Sequence, residues 1–262
     1  MDNFIEHPYF LRFIEGFTKN GFRYTLFAGG AFLTLYVFGK RKYILQKIQQ
    51  RFPKKKKLIQ EITYSILTMG IYALFSILFI VNQNHWHIGQ VYYSISDYGI
   101  PYFLFSIVVM VVWHDTYFYW THRWMHHPKV FKVIHKVHHL SYNPTPLAAF
   151  SFHPIESFIS MGFIPIAMML MPFYKYLLLI FFTIDFLNNI ISHLGYEFYP
   201  KWFATHPITK YLNNATFHNI HHKYSKGNYG LYFTIWDRWM NTMHPKYEPT
   251  FHSIKNKKDK SI

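Results

Sequence analysis

Long apolar runs alternate with short polar segments along this chain. They cover residues 24–39, 58–81, 99–120, 155–172 and 176–194. A helix that crosses a bilayer needs about 20 apolar residues. The runs at 58–81 and 99–120 reach that length. The first run is shorter and rich in glycine. The last two join at Met171-Pro172-Phe173-Tyr174-Lys175-Tyr176 and fit either two full crossings or a shallower hairpin. Outside the runs, apolar positions recur at i, i+3 and i+4, strand-like alternation is sparse, and no internal repeat occurs. The pattern predicts an all-α integral membrane protein, a bundle of about four to five membrane helices. Residues 1–57 would hold the first span and a basic loop, 58–252 the main domain and 253–262 a loose polar tail.

Charge adds an orientation. Nine Lys or Arg fall between Lys40 and Lys57, including the run Lys54 to Lys57, whereas residues 82–99 contain neither. Basic loops stay on the cytoplasmic side, so the chain past residue 120 is expected there too. That side belongs to the endoplasmic reticulum if the cell is eukaryotic, or to the inner membrane if bacterial. Net charge is +15 over 262 residues, but charged residues are only 15%, against about 25% in soluble domains. Because the positive charge sits beside apolar runs, anionic lipid is the better partner and nucleic acid is not expected. The acidic, Pro8-interrupted start does not read as a cleavable signal. The chain has no cysteine, so disulfides and thiolate metal sites are excluded and any metal must take nitrogen or oxygen ligands.

Histidine is the most informative residue type in the chain. The pattern His-x-x-His-His occurs at His135, His138 and His139, and again at His218, His221 and His222. His122 and His126 precede the first copy. With 18 histidines in the chain, about 0.1 such patterns are expected by chance, and two copies in well under 0.01 of chains. On a helix, each box would present its imidazoles within about 100° of arc, as one patch aimed in a single direction. Eight imidazoles exceed the needs of one ion and fit two, with open positions left for oxygen. Imidazole suits Zn, Cu, Fe and Ni alike. His127 replaces His126 if the first box has one more spacer. His153 reads as shaping the pocket or supporting the ligands, and His114 as a satisfied core residue. His7, His85, His87, His206, His244 and His252 read as loop or surface residues.

Neutral imidazoles bring no negative charge, so carboxylates are expected behind them, accepting the other ring N–H. Asp115 lies seven residues before His122 and eleven before His126, within about 40° of both on a helix. Asp185 begins a polar stripe with Asn189, Ser192 and His193. Glu156 and Asp237 complete the set. For Asp115 and Asp185 the alternative is simple pairing with a neighbouring Arg or Lys such as Arg123. The methionines at 168, 169 and 171 read as packing.

The stretches HDTYFYWTHRWMHHPKVFKVIHKVHH, from His114, and HNIHHKYSKGNYGLYFTIWDRWMNT, from His218, resemble the signature of the fatty acid hydroxylase/sterol desaturase superfamily of integral membrane oxygenases. The resemblance spans about residues 112–242. It departs at Asn241, where the family often has Gly before Thr242, which puts one turn in question. It implies membrane helices capped by a cytoplasmic helical domain that holds two irons through eight to ten histidines. The implied ligands are His122, His126, His135, His138, His139, His218, His221 and His222, with His193 as a ninth. It also implies O2-dependent hydroxylation or desaturation of a lipid, such as a fatty acyl chain or sterol. Electrons would come from a separate NAD(P)H-linked carrier, since the chain shows neither a Gly-rich dinucleotide fingerprint nor an HPGG haem box. A histidine-rich metal transporter is the rival, although its site would interrupt helices near the bilayer midplane. A haem cytochrome subunit is a second rival. A zinc hydrolase is weaker, because His-Glu-x-x-His is missing.

Overall fold

A computed structural model describes residues 9–81, 85 and 89–259. The described chain is mostly helical, with one pair of two-residue strands. Helix α1 (Tyr9–Arg23) runs on through a π-helical stretch at Tyr24–Gly29, a short α2 (Gly30–Phe32) and a second π-helical stretch at Leu33–Phe38. The first helical rod therefore begins well before the apolar run that announced it. Gly16 lets the rod close on α3 (Lys55–Val81): a Cβ there would lie 2.9 Å from the Ser76 hydroxyl.

Helices α3 and α4 (Gly99–Met125) are each long and apolar enough to cross a membrane, and only 22% of each apolar window is buried. On α4, Leu104, Phe105, Val108 and Val112 each leave more than half of their surface uncovered. An apolar helix face left uncovered marks a surface for lipid or for a protein partner. Two shorter apolar units follow. The first is α7 (Pro154–Met161) bent into α8 (Phe163–Leu170); the second is α9 (Leu177–Ser192). At 16 residues, α9 is about 24 Å long, short of the roughly 30 Å hydrocarbon core. The tip between α8 and α9 is pinned by a parallel pairing of β1 (Val91–Tyr92) with β2 (Phe173–Tyr174). This places the tip beside the α3–α4 connection, at the far end from His126. Met110, Phe163, Met168, Leu177 and Phe181 form the core between these helices.

The remaining elements cluster at the other end. They are the single turns α5 (Pro128–Phe131) and α6 (Lys136–His139), then α10 (Ala215–Tyr224), α11 (Ile235–Trp239) and α12 (Tyr247–Asp259). Phe203, Phe217, Tyr247 and Phe251 pack α10 on α12. One basic-loop residue departs from expectation. Lys47 is fully buried, with its ammonium among the rings of Tyr36, Phe52 and Tyr196 and 3.3 Å from the Gly195 carbonyl. Burial pushes it down to about 8. It docks the loop on the turn after α9, where Ile48 N donates to Gly195 O and Glu197 N donates to Gln46 O.

Gly195 makes that turn in the left-handed region (φ 69°), and a Cβ would run into the Tyr36 hydroxyl. Gly195→Ala is expected to cost about 1–3 kcal/mol, read as a lowered thermal midpoint. An unchanged midpoint would mean that the turn is not constrained.

Candidate metal centre

The histidine boxes sit at helix ends. His122 is on the last turn of α4, and His126 is the residue that ends it. Pro128 disfavours helical geometry at the residue before it. His127 is accordingly extended (ψ 133°) and exposed, so the ring turned inward is that of His126. His135 precedes the single turn of α6, which carries His138 and His139. The third box rides on α10. The Asn214 side chain caps that helix by accepting from Phe217 N, and the Glu197 carboxylate accepts from both N and Oγ1 of Thr216. His193 follows the last residue of α9.

These nine rings form two groups. In each, one ligand atom per residue lies within 4.8 Å of every other. The first group is His122, His126, His135, His139 and His221; the second is His138, His193, His218 and His222. Each repeated box is thus divided, not aimed as one patch. The i, i+4 pair His135/His139 serves the first group and His138 the second. In the later box, the pair His218/His222 serves the second group and His221 the first.

Tautomers follow from the other ring nitrogen. In the first group every Nδ1 has an acceptor. His122 donates to Tyr229 O at 2.8 Å, His126 to Ser225 O at 3.0 Å and His221 to Gly227 O at 2.7 Å. His135 donates to Glu156 Oε1 at 2.7 Å and His139 to Ser225 Oγ at 3.0 Å. In the second group His138 donates to Ser151 O and His193 to Asn189 O. The His222 Nδ1 is buried with no partner among the described residues. A neutral imidazole with its proton on Nδ1 has a bare lone pair on Nε2. Those lone pairs face one another: Nε2 atoms of His122 and His135 are 3.0 Å apart, those of His126 and His221 3.2 Å, and those of His193 and His218 3.1 Å. Such contacts repel unless a cation lies between them. Ligands about 2.1 Å from a metal and at right angles would be about 3.0 Å apart, so the donor spacing fits a coordination sphere.

Burial keeps the rings uncharged. Desolvation, reinforced by His122, pushes His126 down to about 2 against the pull of the Ser225 carbonyl. Desolvation likewise holds His135, His138, His139, His218, His221 and His222 well below the ordinary value. Neutral imidazole is the form that binds metal.

The four acids divide by role. Glu156 accepts directly from a ring in the first group. Asp237 accepts from the backbone N of Tyr229 and of Gly230, fixing the loop whose carbonyl holds His122. Asp115 touches no box histidine; it accepts from the backbone N of Tyr232 and Phe233. Asp185 accepts from the Tyr232 hydroxyl at 2.6 Å. Among the described residues neither Asp115 nor Asp185 forms an ion pair with Arg123; the charge of Arg123 acts on Asp237 instead. His153 caps α7, accepting from Ile155 N, and so sets the helix that carries Glu156. His114 is buried, 4.0 Å from the Phe163 ring and 2.9 Å from the Tyr232 hydroxyl. His85 and His206 are exposed, while His244 and His252 are half-buried. His7 and His87 lie outside the described residues.

Sequence reasoning did not single out the loop 225–229, whose carbonyls and hydroxyl receive four of the five Nδ1 protons in the first group. Its signal was the cluster Ser225-Lys226-Gly227-Asn228: Ser225, Gly227 and Asn228 all adopt positive φ, which Gly and Asn accept most readily. Asn241 also adopts positive φ, 53°, so the turn that usually carries Gly is kept.

Residues 107–242 match the model of the family described as fatty acid hydroxylase. The chain is 29% identical over 211 residues to a Delta(7)-sterol 5(6)-desaturase of Gibberella zeae, covering 79% of this chain and 64% of that protein. It is 30% identical over 226 residues to a Delta(7)-sterol 5(6)-desaturase of Schizosaccharomyces pombe, covering 85% and 72%. Lathosterol oxidase of Homo sapiens is 34% identical over 148 residues, covering 55% of this chain and 48% of that protein. The chain thus spans less than two thirds of the length of the Gibberella relative. No solved structure matches.

Two outcomes are expected. Glu156→Ala frees the His135 ring and should weaken metal retention about 10- to 100-fold, measured by competition with a chelator; retention equal to wild type would remove Glu156 from the site. The ring values lie below the free value of 6.5, so below about pH 6.5 the unfolded chain binds more protons than the folded one. The thermal midpoint of the metal-free protein should therefore hold above that pH and fall below it. A midpoint that stays flat from pH 8 to pH 5 would contradict burial of neutral rings.

Proposed function

This chain belongs to the fatty acid hydroxylase family, and on that premise we propose that it is a membrane-bound di-iron oxidoreductase that uses O2 and external electrons to hydroxylate or desaturate a lipid. The observation that carries the reading is the pair of buried groups in which Nε2 lone pairs face one another. The donor set is all nitrogen and fits iron, as it also fits other imidazole-binding metals. Five imidazoles would hold one ion and four the other, leaving positions for oxygen. Two bound irons would supply the oxidising power that no side chain has, enough to break an unactivated C–H bond.

The rest falls to the protein. Glu156, Ser225, Gly227 and Tyr229 hold the Nδ1 protons and so aim the rings. Phe118, Phe131 and Phe152 pack against His122, His126 and His138 and exclude water. A largely apolar cavity of about 700 Å³ between the first helical rod, α3, α7, α8 and α9 would receive the lipid, a volume in the usual range for ligand sites; no histidine of either group lines it, so a bound chain or ring would have to extend past it toward the rings. The names of the relatives, sterol desaturases and lathosterol oxidase, favour a sterol as the lipid and a new double bond as the product.

The reading includes four or five membrane helices and a cap on the cytoplasmic side, reached by the basic loop before α3. The membrane would be that of the endoplasmic reticulum, or the inner membrane in a bacterium. Electrons would arrive from a separate NAD(P)H-linked carrier. Metal transport is disfavoured because His126 and His193 follow helix ends and do not interrupt a span.

The test is lipid profiling of cells with and without the gene under labelled O2. A labelled hydroxyl or a product lighter by two hydrogens is expected. An unchanged lipid profile, together with no O2 consumption by the iron-loaded protein and an electron donor, would contradict the reading.

A further inference from the structure

We infer that Asp185 is the acceptor that binds a hydroxyl group of the lipid in the cavity, so that the site selects lipids carrying a neutral alcohol. The inference rests on reading the chain as a lipid oxidoreductase and names a recognition element within it. Asp185 lines the cavity and keeps 16% of its side chain uncovered. It is not aimed at the metal groups. Its Oδ1 accepts the Tyr232 hydroxyl at 2.6 Å, and that hydroxyl in turn accepts from His114 Nδ1 at 2.9 Å. The chain from His114 through Tyr232 to Asp185 fixes the carboxylate and uses one of its oxygens. The other oxygen has no hydrogen-bond donor among the described residues.

Around it the wall is apolar. Phe186 adjoins Asp185 on α9, and the Phe150 ring stacks on Phe186 at 4.2 Å. The Tyr72 ring meets Phe150 edge-on at 5.4 Å, and the Tyr72 hydroxyl makes no hydrogen bond among the described residues. Asp185, on α9, lies eight residues before His193, which caps that helix, about 12 Å along the axis. A carboxylate oxygen and a phenol are therefore available where apolar rings otherwise form the wall.

An acceptor with an unused lone pair in an apolar pocket favours a donor, because burying it unpaired is costly. Three kinds of polar head would meet it differently. An anionic head, such as a fatty carboxylate, is repelled by Asp185. An ammonium would have to shed its hydration against aromatic rings. An alcohol donates one hydrogen bond to Asp185, can accept one from Tyr72, and carries no charge into the pocket. The charged side chains Arg12, Glu15, Lys19, Arg23 and Lys175 also border the cavity; Glu15 is paired with both Arg12 and Lys19, and an anionic head would be drawn to these basic groups and away from Asp185.

The test is equilibrium binding, with no turnover, of a saturated 3-hydroxysterol and its 3-methyl ether to the purified full chain in micelles. The ether keeps the shape and the acceptor but cannot donate. Wild type should bind the alcohol about 10- to 100-fold more tightly than the ether. In Asp185→Ala that preference should shrink to within about twofold, with metal content unchanged. Tyr232→Phe loses the internal hydrogen bond but keeps the carboxylate, and should keep the preference. If Asp185→Ala does not fold, Asp185→Asn must still weaken the preference, because the amide is a poorer acceptor. Equal binding of both ligands by wild type would overturn the inference. So would a preference that survives in Asp185→Ala, survives in full in Asp185→Asn, or vanishes equally in Tyr232→Phe. Since binding is read without O2, failure of the oxidation reading would be seen separately in the turnover assay.

Discussion

The centre of this molecule is governed by where the imidazole protons sit. Each Nδ1 in the first group faces a fixed oxygen, from a loop carbonyl, a serine hydroxyl or Glu156. That choice leaves the Nε2 lone pairs pointing at one another a little over 3 Å apart. Burial closes the usual escape, since charging the rings by protonation is opposed by desolvation and by their neighbours. A cation between them would relieve the repulsion. Much of the surrounding architecture serves to hold the acceptors still: Asp237 on the loop at Tyr229, His153 at the start of α7, and Asn214 with Glu197 at the start of α10.

The same constraint explains the repeated pattern. In His-x-x-His-His the first and last residues are four apart and share a helix face, while the middle histidine is turned aside. One box therefore gives two rings to one group and one to its neighbour. Two boxes with opposite assignment supply both groups: His135 and His139 with His221, and His218 and His222 with His138. His122 and His126 then complete the first group and His193 the second. The pattern links the two sites, so a shift of either short helix would disturb both.

Much of this was readable in the sequence, and the gaps have physical causes. Period and length marked α3 and α4 as candidate membrane helices, and both are long and apolar enough to cross a bilayer; spacing marked eight histidines that meet in the fold. The division of each box was not readable, because it depends on the relative placement of α6 and α10 and not on either helix alone. His193 stood out only through family resemblance, having no box of its own. Helical spacing put Asp115 on the expected face of α4, but its partners, Tyr232 and Phe233, lie more than a hundred residues away. Lys47 looked like one more basic-loop residue, and only tertiary contact with Tyr36 and Tyr196 shows that it is buried. The first helical rod starts before its apolar run, and Gly16 lets that early part close on α3.

The direct measurement is the metal content of the purified full-length chain, combined with X-ray absorption at the metal edge. The account predicts two iron ions per chain, each with a first shell dominated by imidazole nitrogen. A protein that carries out lipid oxidation with one metal or none, or with a shell dominated by oxygen, would contradict it.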